Sequence, residues 1–282
     1  MVLLIESGSS KTDWCLLEGN TVVRTIQTIG LNPYFIDSEK ISTLIEAEIV
    51  PLLSSTSVVS EVNFYGAGCS NEKMCGIVEK GLRSQFASAK IYVLSDMLAA
   101  ARSLCGNGPG FVAILGTGSN SCAYSEGIII EQIPSLGFIL GDEGSGSDLG
   151  KKILQAYCYK ELKPELLLEF EKKFNVDKDF IIEAIYKKPM PNRFVASFVP
   201  FIIENFNEDF SAMVSASFDS FLTKHIQKYT LLPKKTPVYL TGSIAWVFRE
   251  ILSKEIKRHG FILGGISQSP LQGLIEYHTR NS

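Results

Sequence analysis

The chain has 282 residues, 45% of them hydrophobic and 20% charged, with a formal net charge of −3 at pH 7. That is enough apolar material for one large or two medium cores. Dispersed Lys and Arg on an acidic chain argue against nucleic acid as a partner, and runs such as Gly127-Ile128-Ile129-Ile130 fall far short of the roughly 20 apolar residues a membrane-crossing helix needs.

Glu6 and Lys11 interrupt the amino-terminal apolar run, so no secretory leader and a cytoplasmic location are expected. Cys15, Cys69, Cys75, Cys105, Cys122 and Cys158 show no C-x-x-C spacing. They read as small buried hydrophobes in a reducing compartment in preference to a disulfide or zinc framework.

The chain opens on Val2-Leu3-Leu4-Ile5, a strand that runs into Glu6 and then Ser7-Gly8-Ser9-Ser10-Lys11-Thr12. Strands over 13–17 and 21–28, around Glu18-Gly19-Asn20, complete a meander. The spacing predicts a helix over 38–53, with Ile41, Leu44, Ile45 and Ile49 on one stripe. Strand 62–65, helix 72–86, strand 91–94 and helix 96–104 follow, an α/β alternation with some parallel pairing. Residues 105–110, Cys-Gly-Asn-Gly-Pro-Gly, read as a hinge. The meander then restarts. A run over 112–115 enters Gly116-Thr117-Gly118-Ser119-Asn120, so that Thr117, Gly118, Ser119 and Tyr124 align with Ser7, Gly8, Ser9 and Trp14. A duplicated unit is the economical account. Mostly helix is predicted over 145–229, then strand 237–240, helix 245–258, strand 261–263 and a last helix from about 271.

Turns rich in Gly, Ser and Thr expose backbone N–H groups and hydroxyls without side-chain bulk, which is what phosphate oxygens require. Two such turns on one ligand would add charge-assisted bonds, although the first alone reads equally well as a flexible turn. Neither is a Walker loop: Ser9-Ser10 separate Gly8 from Lys11, and a hairpin follows where a helix would be needed. From the residues alone Asp96 is as readily a helix cap or first-turn acid as a base. Gly242-Ser243 reads as a strand-to-helix turn capped by Ser243, and Asp142-Glu143 as acids offsetting a helix start.

In chain order, IESGSSKTDW, GLNPYF, YGAGC, SDMLAAA, ILGTGSN, GFILGDEGSGSDLG, LTGSIAW and SPLQGLIEYH resemble the BadF/BadG-type ATPases and their N-acetylglucosamine kinase branch. The resemblance implies an α/β fold of two ribonuclease H-like (actin-like ATPase) domains facing a central cleft. These would be residues 1–107 and 108–282, the second with a helical insertion and a last helix, about 270–282, that packs back on the first domain. It implies ATP and Mg2+ as cofactors, a small-molecule sugar as substrate, and phosphoryl transfer to a hydroxyl of N-acetylglucosamine or a related amino sugar. Asp96 would be the general base, and Glu6 would hold the metal where the family usually carries Asp. Gly8, Ser9, Ser10, Lys11 and Thr12 would form one phosphate hairpin and Gly116, Thr117, Gly118 and Ser119 the other, with Gly242 and Ser243 at the adenosine and Asn32, Asn120, Asp142 and Glu143 at the sugar. Ser7 and Ser9 replace glycines of the commonest family version. Two alternatives stay open: an ATPase that activates a partner enzyme through an iron–sulfur cluster, which would need Cys122 and Cys158 to meet their counterparts across subunits, and a nucleotide-dependent sensor without sugar turnover. A homodimer is open as well, because the stripe Val195, Phe198, Val199 and Ile202 suits either core or a dimer face.

Overall fold

The computed structural model describes residues 1–8, 11–53 and 55–280, so Ser9 and Ser10 of the first hairpin lie outside the described residues. The chain divides into two compact units, residues 1–107 with the stretch from Pro270, and residues 108–269.

In the first unit β1 (Val2–Ser7), β2 (Lys11–Glu18), β3 (Thr21–Ile29), β4 (Glu61–Gly66) and β5 (Lys90–Ser95) form a sheet in the order β3-β2-β1-β4-β5. β1 pairs antiparallel with β2 and parallel with β4, which runs parallel to β5. As the middle strand, covered on both faces, β1 buries Leu3, Leu4 and Ile5 in succession, which explains its unbroken apolar run. The α-helices of its amino-terminal stretch are α1 (Ser38–Leu44), α2 (Glu72–Arg83) and α3 (Asp96–Cys105). Ile41, Leu44, Ile45 and Ile49 are buried together, yet residues 38–53 are not one helix: α1 passes into a π turn over Ile45–Ile49 and a 3-10 turn over Val50–Leu52. Pro51 has no N–H for an α-helical ladder and its ring crowds the preceding turn, so regular helix ends there.

The second unit repeats the plan. β6 (Gly110–Leu115), β7 (Ser119–Ser125), β8 (Ile128–Glu131), β9 (Val238–Thr241) and β10 (Leu263–Ser267) lie in the order β10-β9-β6-β7-β8. Read from the other edge this is again an antiparallel meander followed by two parallel strands. The repeat seen in the motifs is therefore a repeat of the whole sheet. Seven helices, α4 (Gly137–Leu140), α5 (Gly146–Cys158), α6 (Pro164–Phe174), α7 (Lys178–Tyr186), α8 (Pro191–Ala196), α9 (Val199–Glu204) and α10 (Glu208–Lys224), connect β8 to β9. α11 (Ser243–Val247) and α12 (Arg249–Arg258) connect β9 to β10. Val195, Phe198, Val199 and Ile202 sit in the hydrophobic core with Phe170, Phe210 and Phe218, which removes that stripe as a basis for a dimer face.

Three further expectations are corrected. The helix over 245–258 is two helices, broken at Phe248. The last strand is Leu263–Ser267, beyond the anticipated 261–263, because Gly264 and Gly265 hide it: a Cβ on Gly264 would meet the Tyr239 ring at 2.5 Å, so close packing demands a residue that sequence patterns count against a strand. Cys158, at the end of α5, is exposed, unlike the buried Cys15, Cys69 and Cys122.

α13 (Leu271–Arg280) belongs to the first unit. Leu274 is buried with Leu4, Leu17, Tyr65 and Ala99. Gly273 permits the approach to α3, since a Cβ there would lie 2.3 Å from the Ser103 carbonyl oxygen. Arg102 Nη1 donates to the Tyr65 hydroxyl at 2.7 Å, which lies 2.9 Å from His278 Nε2.

Candidate active site

In the first unit the candidates gather where the parallel strands end. Ser7 of β1 is in register with Gly66 of β4, and Gly66 with Ser95 of β5. Glu6 and Asp96 thus flank the same carboxyl-terminal edge, the usual binding edge of α/β sheets. Both are partly exposed. Burial pushes the Glu6 carboxyl up to about 7, assisted by the negative charges of Asp13 and Asp96 and opposed by Lys11. Burial also raises Asp96 to about 6 against the pull of the Met97 and Asp96 backbone amides. The competing role of helix cap is taken: Ser95 is the N-cap, and its hydroxyl accepts from the Leu98 amide at 3.2 Å.

The other described residues of the first hairpin are less open to a ligand than their composition suggests. Thr12 is fully buried, its hydroxyl 2.8 Å from that of Ser7 and donating to the Ile29 carbonyl. Ser7 Oγ in turn accepts from the Leu31 amide. These two hydroxyls brace the strand ends. Gly8 closes the tip by donating to the Lys11 carbonyl at 2.9 Å, and the exposed Lys11 ammonium pairs with Asp13 at 2.8 Å. Asn32 is buried, and its Oδ1 accepts from the Tyr34 amide. Gly68, in the loop after β4, packs against it; a Cβ there would lie 2.3 Å from Asn32 Oδ1.

In the second unit a second cluster forms at the corresponding edge. The loop between β6 and β7 folds so that the Gly116 and Thr117 carbonyls accept from the Gly146 and Ser147 amides at the start of α5. Asp142 reaches the same loop: its Oδ1 accepts from the Ser119 amide at 3.1 Å, and a Cβ on Gly118 would meet the carboxylate at 2.9 Å. Burial raises the Asp142 carboxyl, partly offset by that amide and by Lys151. The Thr117 and Gly118 amides donate to nothing among the described residues, and the Ser119 hydroxyl is buried without a partner. A buried hydroxyl left without a partner costs free energy unless a ligand answers it. Asn120 turns its Oδ1 onto the Ser121 amide and Gln132. Glu143 is engaged by Lys224 at 2.6 Å and His225 at 3.5 Å.

Gly242 closes the cluster at the end of β9. It adopts φ +113°, and a Cβ would come within 2.4 Å of the Leu115 carbonyl oxygen. Gly242, with no side chain to contribute, is the N-cap of α11, and Ser243, the first helical residue, makes no capping hydrogen bond, so the strand-to-helix turn holds but its cap is not Ser243. Gly242→Ala is expected to destabilise the protein by about 3 kcal/mol, combining backbone strain with overpacking; a urea midpoint within error of wild type would refute the close approach.

A solved structure from Porphyromonas gingivalis, provisionally described as an N-acetylglucosamine kinase, is 39% identical, with a TM-score of 0.94 over 100% of this chain and 99% of that one. The chain belongs to the N-acetylglucosamine kinase-like family. A Chromobacterium violaceum structure with the same provisional description is 18% identical, with a TM-score of 0.74 over 98% of each chain. A ROK hexokinase from Thermus thermophilus is 13% identical, with a TM-score of 0.52 over 100% of this chain and 99% of that one. These two share the fold. No family model matches the chain, and no curated protein does.

Within this N-acetylglucosamine kinase-like chain the structure adds residues that motif reading passed over. Asp13 is the cross-strand partner of Glu6 and is held by Lys11 and by Gln27 at 2.7 Å. Its signal was present, because the i, i+2 spacing of Lys11 and Asp13 puts both on one face of a strand. Asp148 anchors the loop that carries Asp142 and Glu143 by accepting from the Gly144 amide at 3.4 Å, and is itself held by Ser217 and Lys152, each at 2.6 Å; no local pattern pointed to it. Cys122 is fully buried in β7, which keeps it from meeting a counterpart at a subunit surface. Among the described residues no helix is long and apolar enough to cross a membrane.

Proposed function

We propose that the protein transfers the γ-phosphoryl group of ATP to a hydroxyl of N-acetylglucosamine or a related amino sugar, with Mg2+ as the metal. The observation that carries this reading is Asp96: a partly exposed carboxylate at the end of β5, relieved of capping duty by Ser95 and raised toward neutrality. Such a group suits general-base work, which is most effective when the pKa approaches the working pH. Asp96 accepts the proton of the attacking sugar hydroxyl as the oxygen approaches phosphorus.

The chemistry of the remaining residues fits ATP and a divalent cation. The Ser119 hydroxyl and the Thr117 and Gly118 amides are donors awaiting acceptors, and phosphate oxygens are strong acceptors. Glu6 and Asp13 would hold the metal, since a carboxyl pushed up by burial and by the neighbouring Asp13 charge is a place where a bound cation would be favoured. Magnesium keeps several waters, so the extra methylene of Glu6 relative to Asp is accommodated. When bound, it supplies neutralisation of charge on the transferred phosphoryl group. Asn32, Asn120, Asp142 and Glu143 are assigned to the sugar, where carboxylates and amides match paired hydroxyls and an acetamido group.

The test is a panel of hexoses and amino sugars incubated with ATP and Mg2+, with ADP and phosphosugar both measured. ADP release that depends on N-acetylglucosamine or a close relative is expected. ATP consumption indifferent to every sugar, or partner binding that follows nucleotide without turnover, would defeat the reading.

A further inference from the structure

Behind Glu143 lies a chain of buried polar groups that the proposed chemistry leaves unused. His225 follows α10 and is 5% exposed; its Nε2 faces Glu143 Oε2 at 3.5 Å and its Nδ1 faces Ser121 Oγ at 3.3 Å. Ser121, 0% exposed, lies 2.7 Å from the Tyr229 hydroxyl, and Tyr229 accepts from the Ile133 amide at 3.3 Å. The Phe221 ring stacks on the imidazole at 4.9 Å and fixes its plane.

The proton positions follow from the inventory of donors. Burial works against charge on Glu143, but hydrogen bonds from Lys224, its own backbone amide and His225 outweigh it and hold the carboxyl below its ordinary range. An ionised carboxylate only accepts, so His225 Nε2 carries a proton. Burial lowers the His225 pKa, chiefly by desolvation and despite Glu143, so the ring is neutral and Nδ1 is an acceptor. Ser121 then donates to Nδ1 and accepts from Tyr229 in its turn. Every hydrogen bond points toward Glu143.

We infer that His225, backed by Ser121 and Tyr229, is a positioning residue that fixes Glu143 as an ionised, acceptor-only ligand for a hydrogen-bond donor of the sugar, a hydroxyl or the acetamido N–H. The inference rests on the kinase reading for its substrate. Lys224 holds the same carboxylate, but its side chain is 58% exposed against 7% for His225, and exposed pairs fix geometry poorly. Because Glu143 cannot donate, a sugar that presents only an acceptor there is repelled by the carboxylate, and a deoxy carbon displaces water from it without replacing the hydrogen bond, so both are rejected.

The experiment compares His225→Phe, His225→Gln and His225→Asn with wild type, using N-acetylglucosamine and its monodeoxy analogues. Gln can place a donor near the Nε2 position; Asn reaches only the Nδ1 position. His225→Phe should raise the sugar KM about tenfold or more, the scale for a hydrogen bond to a charge, while leaving the ATP KM within about twofold. Gln should recover most of the loss and Asn should not. One deoxy analogue should be poor for wild type yet no worse for His225→Phe, the non-additivity of two changes on one interaction. Equal losses in all three variants, or a parallel rise in both KM values, would show a merely structural histidine and overturn the inference. Should wild type turn over no sugar, the kinase reading fails, and the ring nitrogens of His225 decide the relay by NMR. A neutral Nε2–H tautomer at pH 7 upholds it; an Nδ1–H tautomer or an imidazolium overturns it.

Discussion

Asp96→Asn is expected to lower sugar-dependent ADP release by about 10²- to 10⁴-fold, the range for loss of a general base, while nucleotide affinity stays within about twofold. Stability should not fall: Ser95 supplies the cap of α3, and above about pH 6 the variant sheds a charge that burial disfavours. The acid limb of kcat/KM should fall near pH 6, where the Asp96 carboxyl titrates, with activity gained as pH rises because the base acts unprotonated. Excess Mg2+ should move that limb to lower pH, since a nearby cation favours the ionised carboxylate. Steady-state rates with calorimetric nucleotide binding check both parts, and a variant with wild-type turnover would remove Asp96 from the chemistry.

Glu6→Gln should flatten the pH dependence of stability measured in chelator. The Glu6 carboxyl titrates near 7 in the folded chain against 4.5 ordinarily. The folded state therefore prefers the protonated form, and stability is full below about pH 4.5, is lost as pH rises, and levels off above about 7. The loss amounts to as much as about 3 kcal/mol, taking 1.36 kcal/mol per pH unit. The variant, having nothing to ionise, should be the more stable protein at pH 8. Addition of Mg2+ should reverse the ranking, because a cation stabilises only the chain with a charged ligand at position 6. Thermal melts over pH 4–8, with and without Mg2+, read both effects; identical curves for the two proteins would argue that Glu6 is solvated and holds no metal.

The repeat is the part of the fold most legible in one dimension. Val2 to Ile5 and the run over 112–115 are apolar at every position, which only a strand covered on both faces requires, and each ends in a Gly/Ser/Thr turn. Candidate residues at strand ends were legible for the same reason: Glu6, Asp96 and Gly242 directly follow or close an apolar run. What escaped were features whose cause is a distant partner. The glycines of β10 look like loop until Tyr239 is laid beside them. Thr12 looks like a phosphate donor until Ser7 and Ile29 take its hydroxyl.

Sequence alone determined the α/β class, the doubled meander and the identity of the strand-end acids, because periodicity and turn chemistry are local and each strand carries its own pattern. Only tertiary structure decided what those groups are free to do. That Ser95 releases Asp96 from capping, that Asp13 faces Glu6, and that His225 stands behind Glu143 at a separation of 82 residues are facts of pairing and packing. Hydrogen bonds and desolvation act between neighbours in space, and long-range neighbours leave no local trace in the chain.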